Sequence, residues 1–352
     1  MRSAGLVLGL VGLLSGTAVA TTGCGAAASS TALPHVGFVV KRTGGSFAQE
    51  MTSGFHEGVG RVGGVSATVT GPPGQDGHRE VELFRDLSKA AKGGIAVATS
   101  EPALMAPPIG ETLREHVSVV GVDMRLTASS GVELHIGNDN YELGEKLADE
   151  LMRRLPSGAT GSVVLGNTTP GLPGFDDRAD GIRGRFAEEL PGVRVLGPFD
   201  TQRDDEANLD AWRRLAAANP DALAFVGTGD CDGFNLAAIK TEKSARWLVG
   251  GFGVDPRTLQ AVRDGAVVAS VSPEHYLKGA VAGWLLARQA RGGAELPEGW
   301  VFTPGLAVTT ANLHEVLHRQ ESEKARREWF RPQIDAFVKD PASWLRPLEQ
   351  AR

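Results

Sequence analysis

The stretch Val36–Phe55, VGFVVKRTGGSFAQEMTSGF, decides the fold class of this chain. Its apolar run, Val36–Val40, is short and rich in valine, which is typical of a strand buried on both faces. A Gly-Gly-Ser turn follows at 44–46, and a helical pattern begins at Phe47. The stretch therefore predicts a strand that passes directly into a helix, with an aromatic side chain at the turn.

The same alternation continues along most of the chain. Short apolar runs alternate with amphipathic stretches, in one of which Leu143, Leu147 and Leu151 recur on one helical face. This order predicts an α/β fold with parallel sheets and helices on both faces. The predicted strands are Val36–Val40, Gly94–Thr99, Ser118–Val122, Ser162–Gly166, Ala222–Gly227, Trp247–Phe252 and Val267–Val271. The predicted helices are Phe47–Val62, His78–Ala91, Tyr141–Arg154, Asp177–Glu189, Glu206–Asn219, Phe234–Glu242, Pro256–Asp264 and Leu277–Arg291.

The predicted elements form two series. The first ends near VELHIGNDNYELG (132–144), and the second starts at Ser162. Parallel sheets of this kind bind ligands at the carboxyl ends of their strands. Two such sheets that face each other would enclose a cleft, so we expect a ligand between two lobes.

Composition excludes several classes of protein. The chain has 352 residues, 41% of them hydrophobic, and a net charge of −6, which suits two packed domains and argues against a nucleic-acid binder. Two cysteines allow at most one disulfide. The eight histidines show no metal-ligand spacing, and no phosphate-binding glycine motif is present, so we predict neither a metal nor a cofactor.

The N-terminus has the features of a targeting segment. Arg2 precedes the apolar stretch Ala4–Ala20, and Gly23 stands directly before Cys24. This pattern predicts a lipoprotein signal peptide over 1–23, with lipid on Cys24 and a flexible tether over 24–33. A membrane helix and plain secretion with a free Cys24 are the alternatives. If Cys24 carries lipid, Cys231 is a lone buried thiol.

Three further segments resemble one known family. They are HIGNDNYELG (His135–Gly144), GGFGVDPRTLQAVRDG (Gly250–Gly265) and SPEHYLKG (Ser272–Gly279). In this order, and together with the opening strand, turn and phenylalanine, they resemble the periplasmic sugar-binding proteins of the ribose/galactose type. The resemblance covers Pro34 to Leu313, and those proteins are the receptors of ABC importers.

The resemblance implies two α/β lobes joined by three crossing strands, with a hinge that closes over a sugar or polyol. It implies a monomer that docks on importer permease subunits, is held at the membrane by lipid, and catalyses no reaction. The expected N-terminal lobe is 34–138 plus 274–303, and the C-terminal lobe is 139–273 plus 304–313. The charged segment 314–352 is expected to be a helical extension packed on the outside.

Sugars have apolar ring faces that stack on aromatic rings, and hydroxyl groups that need paired donors and acceptors. Phe47 occupies the position of one of two aromatic residues that clamp the ring in the family, with a core residue at the helix start as the alternative. Asp123 ends the strand SVVGVD and matches the family's hydroxyl-binding aspartate, with a turn or helix cap as the alternative.

The second lobe supplies the other candidates. Arg178 matches an arginine that enters the cleft, or it forms a surface ion pair with a neighbouring aspartate. Asp230 and Asp232 follow the strand ALAFVGTG, and one of them is expected to cap the next helix. Gly253 and Pro273 stand where the family has polar residues, and either Asp255 or Glu274 is expected to substitute for them. The family's usual hydrogen-bond set is therefore not reproduced.

Other functions fit the residues less well. The turn TGGSFA resembles a nucleophile elbow of an α/β hydrolase, but Ala48 stands where that motif requires glycine. A repressor with this ligand domain would need an N-terminal helix-turn-helix where the leader stands. A sugar-sensing receptor subunit is the alternative that the residues leave open.

Overall fold

The computed structural model of the protein describes residues 32–352. The predicted signal peptide, most of the tether and Cys24 lie outside the described residues. The described chain contains two parallel-sheet α/β lobes, which confirms the predicted fold class. The strands are β1 His35–Val40, β2 Ser66–Thr70, β3 Ile95–Ala98, β4 Val119–Val122, β5 Leu134–Gly137, β6 Gly161–Asn167, β7 Val193–Asp200, β8 Ala224–Gly227, β9 Leu248–Phe252, β10 Ala269–Ser272, β11 Gly299–Phe302, β12 Leu306–Val308 and β13 Leu345–Arg346.

The two sheets share one topology. The first has the order β13-β11-β5-β4-β3-β1-β2 and the second the order β12-β10-β9-β8-β6-β7. In each sheet the first strand lies between the second and third, and these core strands are parallel. The strand order therefore reverses beside β1 in the first sheet and beside β6 in the second, which is where open α/β sheets bind ligands.

Helices cover both faces of each sheet. Helix α4 illustrates the local cause: Asp139 caps its start by accepting a hydrogen bond from the Glu142 amide, and its leucine stripe is buried as the spacing predicts. The helices are α1 Gly45–Val62, α2 Gly77–Ala90, α3 Pro102–Arg114, α4 Asn140–Met152, α5 Pro173–Glu189, α6 Asp205–Ala218, α7 Asp232–Glu242, α8 Pro256–Arg263, α9 His275–Ala290, α10 Leu313–Gln320 and α11 Glu323–Lys339.

Several elements are absent from the predicted list, among them β2, β7 and α3. Strand β2 has no fully buried residue, and β7 has one buried residue in eight, so neither shows a continuous apolar run. Helix α3 contains Pro107 and Pro108, which ordinarily argue against a helix interior. Packing of the buried residues of α3, Met105 and Ile109 among them, supports the helix in spite of these prolines.

The chain passes between the sheets at three places. They lie between β5 and α4, between β10 and α9, and between β11 and β12. At the second crossing Glu274 is buried and receives two hydrogen bonds of 2.9 Å from the guanidinium group of Arg319 on α10. This bidentate pair attaches the C-terminal segment to the crossing.

The C-terminal segment packs on the first lobe. Phe330, Ile334 and Phe337 of α11 are fully buried in the core that also contains β1 and α9, and Phe330 stacks on Tyr276. Strand β13 then adds to the edge of the first sheet, antiparallel to β11. The segment predicted as a helical extension therefore also contains a strand and completes a core.

Helices α1 and α9 cross at very close range. A Cβ atom on Gly54 or Gly58 would stand 2.0 Å from the carbonyl oxygen of Tyr276 or Ala280, respectively. Glycine is required there because any side chain would force the two helix backbones apart. Since α9 follows the second crossing, this contact positions the start of α9 relative to β1.

The glycine contact can be tested with two alanine variants of α1. Gly58→Ala should lower the free energy of unfolding by about 1–3 kcal/mol, because the new methyl group overlaps the α9 backbone. Gly60→Ala is the control, since a Cβ there meets nothing within 4 Å, and it should raise stability by about 0.5–1 kcal/mol. Urea unfolding followed by circular dichroism measures both. Equal effects of the two substitutions would contradict the packing argument.

Candidate ligand-binding site

A cavity lies where strand ends of the two sheets meet. Residues that follow β1 and β4 line it from the first lobe, and residues that follow β6, β8 and β9 line it from the second. The cavity therefore lies near the strands at which each sheet reverses its strand order, where open α/β sheets bind ligands. The lining residues are Lys41, Arg42, Ser46, Phe47, Gln75, Asp123, Met124, Thr168, Phe175, Arg178, Arg203, Asp230, Phe252, Gly253, Val254, Pro273 and His275.

Aromatic side chains from both lobes contribute to the wall. Phe47 comes from the first lobe, and Phe175 and Phe252 come from the second. Phe47 is only 6% exposed and belongs to the core of the first lobe, yet it also borders the cavity. Its ring meets His275 edge-on at a centroid distance of 4.7 Å. Phe47 is therefore both a core residue of the first lobe and part of the cavity wall.

Asp123 is buried in a cluster of basic groups. Its Oδ1 lies 2.6 Å from Nζ of Lys278, which is 1% exposed, and its Oδ2 lies 3.6 Å from Nζ of Lys41. Burial alone would raise the pKa of this carboxyl group, but Lys278 and Lys41 outweigh burial and hold the pKa well below its usual range. Asp123 is therefore an anion that already has a buried counterion.

The backbone at Asp123 is unusual. Its φ angle is 73°, in the left-handed region that few residues other than glycine and asparagine or aspartate adopt. The carboxylate is turned toward the basic cluster, and nearby His275 has a pKa lowered to about 4 by burial and by the Lys278 charge. His275 is therefore neutral at pH 7.

Arg178 is a buried cation of the second lobe. It is 4% exposed, and its Nε and Nη1 atoms donate hydrogen bonds to Asn140 Oδ1 at 2.9 Å and to the Thr228 carbonyl at 3.0 Å. Its guanidinium carbon lies 4.6 Å from the centroid of Phe252. Burial lowers its pKa to about 10, so it keeps its charge at neutral pH. The alternative interpretation of Arg178, a surface ion pair with Asp176 or Asp177, is not what the structure shows.

Two contacts join the lobes across the cavity. Arg42 of the first lobe donates to Asp230 of the second at 2.8 Å, and Arg203 of the second lobe donates to Gln75 of the first. Asp230 is half-exposed, so its ion pair is weak. These contacts exist only while the two lobes are close together.

Two of the sequence-predicted site residues do not line the cavity. Asp232 is fully buried and accepts hydrogen bonds from Trp212 Nε1 at 2.7 Å, Asn208 Nδ2 at 2.8 Å and the Gly229 amide at 2.8 Å. Glu274 is held by Arg319 at the second crossing. Both carboxylates hold the protein's own elements together, while Phe47, Asp123, Arg178 and Asp230 meet at the cavity.

Several lining residues were not singled out from the sequence. Lys41 and Arg42 directly follow β1, so the rule that sites lie at strand ends could have found them. Arg203 follows β7, whose sequence shows no strand pattern. Gln75 lies in the loop between β2 and α2, where the sequence gives no signal.

Within residues 32–352 no helix is long and apolar enough to cross a membrane. In the same part of the chain, no group of three or more histidine, cysteine, aspartate or glutamate residues is placed to hold a metal ion. Cys231 is buried and has no disulfide partner among the described residues. Burial raises the pKa of its thiol, so the group is an unreactive one.

Comparisons with known proteins agree with this geometry. A profile of the family described as periplasmic binding protein domain matches residues 36–294. The D-allose-binding periplasmic protein of Escherichia coli K12 is 23% identical over 278 residues, covering 76% of this chain and 88% of that protein. Ribose import binding protein RbsB of Salmonella typhimurium is 23% identical over 195 residues, covering 55% of this chain and 64% of that protein.

Solved structures share the fold. GanP, a glucose-galactose binding protein from Geobacillus stearothermophilus, has a TM-score of 0.71 at 20% identity, over 80% of this chain and 99% of that chain. An ABC transporter solute binding protein from Burkholderia graminis, in complex with D-arabinose, has a TM-score of 0.72 at 21% identity, over 79% and 96%. The fold and the cavity define a two-lobed binding protein. The chain belongs to the periplasmic binding protein family, which confirms the resemblance noted in the sequence.

The buried pair can be tested by a mutant cycle. Asp123→Asn should lower the free energy of unfolding by about 3–5 kcal/mol, because the Lys278 ammonium is left without its counterion. The double variant Asp123→Asn/Lys278→Met should recover most of this loss. Thermal unfolding of the wild type, the single variants Asp123→Asn and Lys278→Met, and the double variant at neutral pH measures the coupling energy. Additive effects of the two substitutions would contradict the coupling.

The ion pair between Asp123 and Lys278 also predicts how the stability of the protein changes with pH. Because the folded pKa of Asp123 is depressed, its contribution is complete above the unfolded value of about 3.9 and is lost as pH falls further. Wild-type stability should therefore fall below about pH 4, and the double variant should lose less stability over that range.

Proposed function

We propose that the protein binds a sugar or related polyol outside the cytoplasm and delivers it to an ABC importer. One observation carries the proposal: the cavity has aromatic faces and planar hydrogen-bonding groups from both lobes. Aromatic faces suit the C–H surface of a sugar ring, and carboxylate and guanidinium groups can each pair with two neighbouring hydroxyl groups. An inner surface of this composition favours a small polyhydroxylated molecule.

The proposed contacts are Phe47, Asp123, Arg178 and Asp230. Asp232 and Glu274 are left out of this set because they do not line the cavity and their carboxylates are held by Asn208 and Trp212 and by Arg319, respectively. Among the residues that the sequence did not suggest, Arg203 and Gln75 join it because they border the cavity.

Closure of the lobes is the proposed mechanism. A ligand that touches both lobes binds best when they are close, so it shifts an open–closed equilibrium toward the closed form. The Arg42–Asp230 and Arg203–Gln75 contacts would form in the same step. An importer would then recognise the closed pair of lobes, which we propose to be 34–138 plus 274–303 and 139–273 plus 304–313.

The names of the relatives support this class of ligand. The similar proteins are described as binding D-allose or as ribose import binding proteins, and one similar structure contains D-arabinose. We assign the protein no reaction, since these relatives are binding proteins. The ligand should therefore be recovered unchanged after incubation with the purified protein.

Ligand binding can be tested with Phe47→Leu, which keeps most of the volume that packs in the core. A sugar that binds should raise the melting temperature of the wild type in a concentration-dependent way. Loss of the aromatic face in Phe47→Leu should weaken binding by about 0.5–1.5 kcal/mol, measured by titration calorimetry. Phe199→Leu is the control, because Phe199 is exposed on β7. Undiminished affinity in Phe47→Leu would remove Phe47 from the proposed contacts.

We also propose that lipid on Cys24 anchors the protein to the membrane. In the producing bacterium, wild-type protein should sediment with membranes and carry a diacylglyceryl group detectable by mass spectrometry. Cys24→Ser should be released or retain an uncleaved leader, while Cys231→Ser should stay membrane-bound. Equal fractionation of wild type and Cys24→Ser, without lipid in the spectrum, would refute the anchor.

A further inference from the structure

We propose that the ligand carries a negative charge, as a sugar acid or a sugar phosphate does. This inference rests on the proposed function and specifies its ligand class. Four cationic side chains line the cavity, namely Lys41, Arg42, Arg178 and Arg203, against the two carboxylates of Asp123 and Asp230. The lining therefore has an excess of two positive charges, although the chain as a whole has a net charge of −6.

The carboxylates of the cavity are already matched by other groups of the protein. Lys278, which lies behind the lining and is 1% exposed, contacts Asp123 at 2.6 Å. Arg42 contacts Asp230 at 2.8 Å. These two ion pairs account for both negative charges, and Lys41, at 3.6 Å from Asp123, adds a second ammonium group to the same carboxylate.

The two arginines of the second lobe have only neutral hydrogen-bond partners. Arg178 donates to an amide oxygen and a backbone carbonyl, and Arg203 donates to Thr169 and Gln75. Nη2 of Arg203 is buried without a partner among the described residues, and so is Nε of Arg42. Buried donors of a charged group that lack an acceptor are costly, so an acceptor that enters the cavity would be favoured.

Anionic oxygen atoms are the acceptors that best suit this set. A guanidinium group donates two parallel hydrogen bonds to a carboxylate or phosphate, and these bonds are stronger than those to a neutral hydroxyl. Phe47, Phe175 and Phe252 offer apolar surface in the same cavity, while Gly253 and Pro273 offer no side-chain hydrogen-bonding group. The chemistry therefore fits a polyol with one anionic group more closely than a neutral sugar.

The test compares matched ligands on the purified wild-type protein by titration calorimetry. The pairs are gluconate against glucose, galacturonate against galactose, and ribose 5-phosphate against ribose, with acetate and inorganic phosphate as free anions. At least one anionic member should bind roughly ten- to a hundredfold more tightly than its neutral partner. Its affinity should also fall as salt is raised, because screening weakens charge attraction.

The outcomes separate this inference from the proposed function. Equal or tighter binding of the neutral members would overturn the charge preference and leave a sugar-binding protein. Binding of free acetate or phosphate as tight as that of the sugar anions would mean an adventitious ion only, and would also overturn it. If a wider panel of neutral and acidic sugars and polyols shows no binding at all, the proposed function itself fails.

Two variants distinguish a role of the Arg203 charge in binding from a purely structural role of this side chain. Arg203→Gln keeps a polar side chain beside Gln75, and it should reduce the ratio of anionic to neutral affinity by about tenfold. Arg79→Gln is the matched control, since Arg79 lies exposed on α2, and it should leave the ratio unchanged. A purely structural role of Arg203 would weaken both ligands equally, so an unchanged ratio in Arg203→Gln would contradict the proposal.

Discussion

The ion pair between Lys278 and Asp123 is the interaction on which the site depends. Lys278 lies on α9 directly after the second crossing, and Asp123 directly follows β4, so the pair joins two elements that are far apart in sequence. Both side chains are almost inaccessible to water, and either charge alone in that place would be destabilising by several kcal/mol. The pair therefore fixes the start of α9 against the first sheet. Phe47 depends on the same arrangement, because its ring packs against His275 at the start of α9.

Two strained residues flank this region, and each is held by a buried cation. Asp123 and Glu274 both have positive φ angles, which for residues other than glycine persist only where neighbouring contacts enforce them. Lys278 holds Asp123, and Arg319 holds Glu274 through both of its carboxylate oxygens. Because Arg319 belongs to α10, the C-terminal segment contributes to the geometry of the crossing. The region behind the cavity is thus held by contacts between parts of the chain more than 40 residues apart.

Strand periodicity in the sequence predicted those cavity-lining residues that follow buried strands. Asp123 and Asp230 stand at the ends of buried strands whose continuous apolar runs are easy to recognise, and Phe47 follows the first of them. The sequence could not show which of Asp230 and Asp232 lines the cavity. Asp232 accepts a hydrogen bond from Trp212, and that contact is not visible in the sequence around Asp232. Arg203 was missed since β7 lies at a sheet edge, where exposed residues hide the strand pattern. The local sequence pattern therefore predicts where strands end. Contacts with residues remote in sequence decide which polar side chains at those ends are free to meet a ligand.

The excess positive charge of the cavity links ligand chemistry to closure. On the proposed closure, Lys41 and Arg42 of the first lobe come near Arg178 and Arg203 of the second, in a partly enclosed cavity. Like charges repel more strongly there than in water, so closure without a ligand is opposed. The Arg42–Asp230 pair offsets part of this repulsion, but it is half-exposed and therefore weak. A bound anion would remove the remaining repulsion and supply acceptors to the guanidinium groups in the same step. If the proposed anionic ligand binds, its charge as well as its hydroxyl groups would drive the lobes together.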